Sequence, residues 1–173
     1  MVLVGNMSNR EAIEFRLATE ADLLELRSLY AETVDELGPT AYTPAQVAAW
    51  KAFADDPGFD DFILEVHTYV AVSDVQAVGF CGIADDGHVA SVYVGPAYCR
   101  QGVGSMLLTW ALTRHPVPTS GRYYAEASAF SLPLFERCGF RLIGPEQTIR
   151  NGVAFERFLV ERIVGPSGQG GGR

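Results

Sequence analysis

The 173-residue sequence contains only three cysteines, Cys81, Cys99 and Cys138. No two of them stand as Cys-x-x-Cys, and an odd number in a chain of this length makes no disulfide framework, so a reducing cytoplasm is the expected setting. Histidine is equally sparse. His67, His88 and His115 lie far apart along the chain and off metal-ligand spacing, and no metal is expected. Basic residues are in the minority, 13 against 21 acidic, and the net charge of −8 repels polyphosphate surfaces, so nucleic acid is not an expected partner. No apolar run approaches the ~20 residues of a membrane helix, and the first ten residues lack the basic-then-apolar order of a signal peptide. No membrane partner is expected.

What remains is the material of one domain. With 48% hydrophobic and 20% charged residues, a chain of this length can bury about two thirds of its unfolded surface around one core. Residues 1–12 read as a short flexible leader, residues 13–163 as the domain, and the Gly-rich residues 164–173 as a flexible tail with nothing to bury.

Within the domain, Ile13, Phe15 and Leu17 alternate with Glu14 and Arg16 as in a half-buried strand. Thr19-Glu20-Ala21-Asp22 then caps a helix carrying Leu23, Leu26 and Tyr30. Thr43-Pro44-Ala45-Gln46 opens a second helix, with a capping hydroxyl, a first-turn proline and a glutamine at the third position. From His67 the pattern changes to three short strands, 68–72, 77–83 and 89–94, separated by Asp, Gly and Ser turn residues and predicted to be antiparallel. A helix over 102–114 is stopped by Pro116 and Pro118, and a strand over 122–127 follows. A short helix around Pro133 to Cys138 ends at Gly139, and strands 140–149 and 153–163 flank the hairpin signal Asn151-Gly152. The expected order is β-α-α-β-β-β-α-β-α-β-β. The fold class is α+β: a single domain with a central, mostly antiparallel, splayed mixed sheet flanked by about four helices.

The stretch from Val92 to Ser105 runs as strand, tight loop and helix start, which is the physics of anion binding. Gly102 and Gly104 remove side chains where a ligand would approach the backbone, the free N–H groups and dipole of the helix start can hold a pyrophosphate, and Arg100 adds a formal charge. The competing reading is that the two glycines only let a helix pack tightly on the sheet. A dinucleotide site is excluded by layout, because it needs Gly-x-Gly-x-x-Gly after the first strand of a parallel βαβ unit.

This strand, the Pro96 loop and Arg100-Gln101-Gly102-Val103-Gly104 resemble the acetyl-CoA signature of the GNAT superfamily of N-acetyltransferases, and the predicted element order resembles that family's order. Leu134-Phe135-Glu136-Arg137-Cys138-Gly139-Phe140 is similar to the family's late helix ending in Gly-Phe. Tyr42-Thr43-Pro44 to Trp50, Asp86-Gly87-His88 and Glu126-Ala127-Ser128 resemble one bacterial branch. The resemblance covers roughly residues 13–163. It implies transfer of an acetyl group from acetyl-CoA to an amine nitrogen of a small-molecule or peptide acceptor, by direct attack in a ternary complex. It places Val92, Tyr93 and Val94 along the pantetheine, and Arg100, Gln101, Gly102, Val103, Gly104 and Ser105 around the pyrophosphate. Dimerisation through the last strands or exposed edges would be ordinary for such folds.

Two positions depart from the family pattern. Cys99 stands where glutamine or arginine is usual, and it lacks the activating surroundings of a reactive thiol. Phe135 stands where many relatives carry the tyrosine that protonates the departing thiolate. These departures leave room for a second reading, a catalytically weak acetyl-CoA-binding sensor or partner subunit.

Acetyl transfer needs a free amine, a polarised carbonyl and a route for the thiolate to leave. His88 falls where several relatives place the proton-accepting glutamate, and histidine suits that task near neutrality. The competing reading of His88 is a turn residue that ties down a hairpin. Glu126 is the next candidate, as a carboxylate that attracts or deprotonates the amine; otherwise it is a strand-edge charge. The resemblance suggests the Val94 N–H for the oxyanion. Ser128, Tyr42, Tyr123, Tyr124 and solvent are all open for the thiolate. Tyr42 and Trp50, with the turn around Asn151, are the expected acceptor-binding places, although helical spacing also makes Trp50 a core residue.

Overall fold

The computed structural model describes residues 12–165. The leader expected over 1–12 and the tail expected over 164–173 lie outside the described residues, apart from residues 12, 164 and 165. The chain order is β1 (Ile13–Leu17), α1 (Leu23–Leu37), α2 (Pro44–Lys51), α3 (Phe59–Leu64), β2 (His67–Ser73), β3 (Gln76–Ile83) and β4 (Val89–Val94). It continues with α4 (Val103–Arg114), β5 (Arg122–Ala127), α5 (Leu132–Arg137), β6 (Arg141–Arg150) and β7 (Val153–Ile163). This is the order expected from the sequence with one addition, α3. Six residues are too few to display a helical period. Burial of Phe59 and Ile63 holds α3 in place.

Local chemistry explains where the helices begin and end. Before α1, the Asp22 carboxylate accepts the Thr19 N–H at 2.7 Å and two bonds from Arg16 at 2.6 and 2.8 Å. Thr43 and Gln46 form the reciprocal cap of α2, Thr43 N–H donating to Gln46 Oε1 at 2.9 Å and Gln46 N–H to Thr43 Oγ1 at 3.3 Å. Gly139, at φ +84°, ends α5 in the left-handed conformation, with Gly139 N–H donating to the Glu136 carbonyl and Phe140 N–H to that of Phe135.

The strands form two antiparallel sheets, ordered β1-β2-β3-β4 and β5-β7-β6. Their junction is one parallel bridge between His88 and Tyr124. Gly87 permits it. Its φ is +94°, and a Cβ there would lie 2.2 Å from the Arg122 carbonyl oxygen, whereas the glycine lets Tyr124 N–H reach the Gly87 carbonyl at 3.0 Å. Beyond that bridge β4 and β5 share no ladder, so the two sheets open into a wedge.

Each face of the sheet layer has its own core. Leu26, Tyr30 and Val34 of α1 pack with Val47, Phe59, Ile63, Val70 and Phe80, while Leu107, Leu108 and Ala111 of α4 pack with Tyr69, Ile83, Phe135 and Val160. At about 1.5–3 kcal/mol per fully buried large side chain, these two layers supply the main driving force and fix the edges of the wedge.

Candidate active site

The wedge opens on a cavity of about 220 Å³ lined by β4, α1, α2, α5 and the β6–β7 hairpin. Val92, Tyr93 and Val94 all line it. The Val94 carbonyl turns away from β3, facing the Thr33 hydroxyl and accepting from the Cys99 thiol, each at 3.4 Å. Within a strand a residue's N–H and C=O point the same way, so the Val94 N–H also turns from β3, and Val92 follows by the two-residue alternation. These groups offer the backbone edge along which an extended chain can lie.

At the end of β4, Arg100 (φ +60°) and Gly102 (φ +86°) adopt left-handed backbone conformations and lead into α4. Met106 N–H is bonded to the Gly102 carbonyl, so the N–H groups of Val103, Gly104 and Ser105 precede the helical ladder, and no side chain caps them. No acidic residue sits in the first turn of α4 to oppose an anion. Arg100 and Gln101 are exposed. The Gln101 amide donates to the Ala97 carbonyl at 2.7 Å and braces the turn.

The two glycines divide between the roles that the sequence left open. A Cβ on Gly102 would meet nothing within 4 Å, so Gly102 serves the left-handed turn and leaves open space before the helix. A Cβ on Gly104 would lie 2.4 Å from Leu134 Cδ1 and 3.4 Å from Val94 Cγ2. Gly104 therefore serves the packing of α4 against α5 and β4. Cys99 also lines the cavity, and burial pushes its thiol above the ordinary value against the pull of Arg100, which keeps it protonated.

The structure brings His88 and Glu126 into one unit. His88 Nε2 lies 2.7 Å from Glu126 Oε2, and the His88 ring stacks on Tyr124 with centroids 4.9 Å apart. Only Glu126 of the two lines the cavity; His88 stands behind it at the sheet junction. The His88 bond holds the Glu126 carboxyl below its ordinary value, outweighing burial, with Arg157 contributing. A carboxylate held ionised, backed by an imidazole and facing a cavity, can take a proton from a bound amine and pass it on.

The remaining candidates separate clearly. Ser128 and Tyr42 line the cavity, whereas Tyr123 and Tyr124 do not. Tyr123 is buried against His115, and the Tyr124 hydroxyl donates to Asp86 at 2.6 Å. The Ser128 hydroxyl lies 3.1 Å from that of Ser131, whose N–H it accepts. Tyr42 accepts the Ala129 N–H at 3.2 Å and meets Trp50 edge-on at 5.3 Å. Trp50 lines the cavity and packs against the α1 core, and its Nε1–H donates to the Tyr93 hydroxyl at 3.1 Å. Phe135 reaches the cavity wall but packs edge-on against Phe140 at 5.0 Å.

Sequence reasoning missed Thr33, Phe130, Thr148, Arg150, Phe155 and Arg157 as cavity residues. The Asn151-Gly152 hairpin pointed to their neighbourhood, but which strand residues face inward depends on how the hairpin docks. His67, Asp85 and His115 are distant in sequence, yet the fold brings a potential ligand atom of each within 4.8 Å of the others. His115 is buried and its charged form is disfavoured there, by burial first and by His67 second.

Residues 39–160 match the acetyltransferase (GNAT) domain family, and the chain belongs to that family. It is an acyltransferase whose acetyl donor is acetyl-CoA. Solved structures agree on the fold. A GCN5-related N-acetyltransferase from Rhodopseudomonas palustris superposes with a TM-score of 0.80 at 21% identity, covering 92% of this chain and 100% of that one. The PaiA N-acetyltransferase of Thermoplasma acidophilum, solved with coenzyme A, gives a TM-score of 0.68 at 18% identity over 88% of this chain and 99% of its own. YncA of Salmonella typhimurium, solved with acetyl-CoA, gives 0.63 at 19% identity over 91% and 96%. No curated protein sequence matches the chain. Among the described residues no helix is long and apolar enough to cross a membrane.

Proposed function

We propose that the protein is an N-acetyltransferase that moves the acetyl group of acetyl-CoA directly to an amine nitrogen while donor and acceptor are both bound. The observation that carries this reading is the His88–Glu126 pair at 2.7 Å, whose carboxylate faces the cavity beside the open edge of β4. The site fits the donor. The open edge at Val92 and Val94 suits the amides of a pantetheine arm. The left-handed Arg100–Gly102 turn, the uncapped N–H groups and the absence of first-turn acids suit a pyrophosphate. Acetyl-CoA supplies an activated carbonyl carbon and a thiolate leaving group.

The residues of this chain supply the rest. Glu126 takes the proton as the amine nitrogen bonds to the carbonyl carbon, and His88 holds the carboxylate in place and shares the charge. The Val94 N–H stabilises the developing negative charge on the carbonyl oxygen. The carbon–sulfur bond breaks, and the thiolate takes a proton from solvent or from the Ser128 hydroxyl. Phe135 has none to give.

Residues 13–163 form the working domain in this reading. The unpaired cysteines suit a reducing cytoplasm. A homodimer would use β6, an edge strand that exposes Leu142, Ile143 and Ile149, and light scattering on the purified protein tests that. The function itself is tested by calorimetric binding of acetyl-CoA, followed by coenzyme A release with a panel of primary amines. Binding with amine-dependent release is expected. Binding without release for any amine would instead support the sensor reading, and no binding would reject both.

A further inference from the structure

The cavity carries a cation that the chain does not use. Two arginines line it, and they differ in one respect. Arg157 is committed, its guanidinium pairing with Glu146 at 2.6 Å. Arg150, among the described residues, makes no ion pair and no side-chain hydrogen bond, and its charge reaches the hydroxyls of Tyr93 and Tyr30. Its position is built. Arg150 is the last residue of β6, opposite Val153 at the hairpin tip. That tip is fastened to α2 at two points: the Gln46 amide donates to the Ala154 carbonyl at 2.9 Å, and the Asn151 amide to that of Ala49 at 3.4 Å.

The same cavity holds Glu126 on β5, with the rings of Tyr42, Trp50 and Phe155 also on its lining. It therefore offers an anionic group for an amine, a free guanidinium, and an aromatic wall. A bare amine would leave the guanidinium unanswered. Glu156 also lines the cavity and, like Arg150, is exposed, but its carboxylate already takes the Gln147 amide at 3.4 Å, whereas Arg150 has no such partner among the described residues.

Building on the transferase reading, we infer that the acceptor is an amine carrying its own anion, an amino-acid-like zwitterion with an apolar side chain. Its amine faces Glu126, its carboxylate is held by the Arg150 guanidinium, and its side chain lies against Tyr42, Trp50 and Phe155. Guanidinium geometry matches a carboxylate or phosphate with two parallel bonds, so Arg150 selects for an oxyanion and not merely for bulk.

The test uses matched acceptors with the intact protein and saturating acetyl-CoA. L-Phenylalanine is compared with L-phenylalaninamide, and O-phosphoethanolamine with ethanolamine, each rate being normalised to its fraction of free amine. The expected result is a kcat/KM about 10- to 100-fold higher for phenylalanine than for its amide. Arg150→Gln should remove that preference by slowing the acid alone, with acetyl-CoA affinity and melting temperature unchanged. A preference confined to the phosphate pair would overturn the amino-acid assignment. Equal rates for acid and amide, or an Arg150→Gln variant that slows both alike, would overturn the anion subsite while leaving the transferase reading standing. Tight acetyl-CoA binding without coenzyme A release from phenylalanine would overturn this inference, and absence of release across the wider amine panel would overturn the transferase reading with it.

Discussion

Replacing Glu126 with glutamine keeps the side chain's shape and removes its charge. His88 and Glu126 meet at 2.7 Å with side chains 30% and 25% exposed, so the pair is partly solvated and its loss should cost only about 1 kcal/mol of stability. The catalytic loss should be far larger. A positioned general base contributes about 10²- to 10⁴-fold, equivalent to about 3–5 kcal/mol of barrier. Stopped assays of coenzyme A release should therefore show kcat falling at least about 100-fold in Glu126→Gln, while calorimetry shows acetyl-CoA affinity unchanged. His88→Gln should cost less, about 10-fold, because His88 acts through Glu126. The double variant should be no slower than Glu126→Gln alone. The folded-state pKa of Glu126 is depressed, so its share of stability is complete above the unfolded value near 4.5 and is lost as pH falls through the lower folded value. A Glu126→Gln enzyme within about threefold of the parent rate from pH 6 to 9 would refute this role for the carboxylate.

Arg100→Glu should weaken acetyl-CoA binding by at least about tenfold at low salt and less at high salt, without changing the melting temperature, since Arg100 is exposed. Gly104→Val should destabilise by about 1–3 kcal/mol in urea denaturation, because its side chain would displace Leu134. Phe135→Tyr should raise kcat if thiolate protonation limits turnover, and the solvent isotope effect should change with it. Asp22→Ala should cost about 2 kcal/mol at pH 7, from a carboxyl held at about 2 against an ordinary 3.8, chiefly by the Arg16 bond. That contribution is complete above pH 3.8 and disappears as pH falls through about 2, so the two proteins should converge in acid denaturation.

The parts of the fold legible in the sequence were those written in local chemistry. Thr43-Pro44-Ala45-Gln46 marked α2, Asn151-Gly152 marked the last hairpin, alternation marked β1 to the residue, and the strand expected over 122–127 is β5. Helix α3 escaped because six residues hold too little periodicity. In the site, Glu126, His88 and Tyr42 could be named, but their division of labour could not. Whether His88 or Glu126 faces the acceptor depends on the angle at which two sheets meet at Gly87, a tertiary property. Arg150 was invisible for the same reason: nothing in Thr148-Ile149-Arg150-Asn151-Gly152 says that α2 pins the tip down beside Trp50. Gly104 shows the converse: the sequence left it between room for a ligand and close helix packing, and only the fold brings Leu134 against it.

The central claim is that one molecule of amine is acetylated for every coenzyme A released. Mass spectrometry of a reaction containing the protein, acetyl-CoA labelled in its acetyl carbons and a panel of amines tests it directly. Labelled N-acetyl product in equal amount to free coenzyme A, formed at least about 100-fold more slowly by Glu126→Gln, is the predicted result. Free coenzyme A with labelled acetate and no acetylated amine, or no turnover at all, would contradict it.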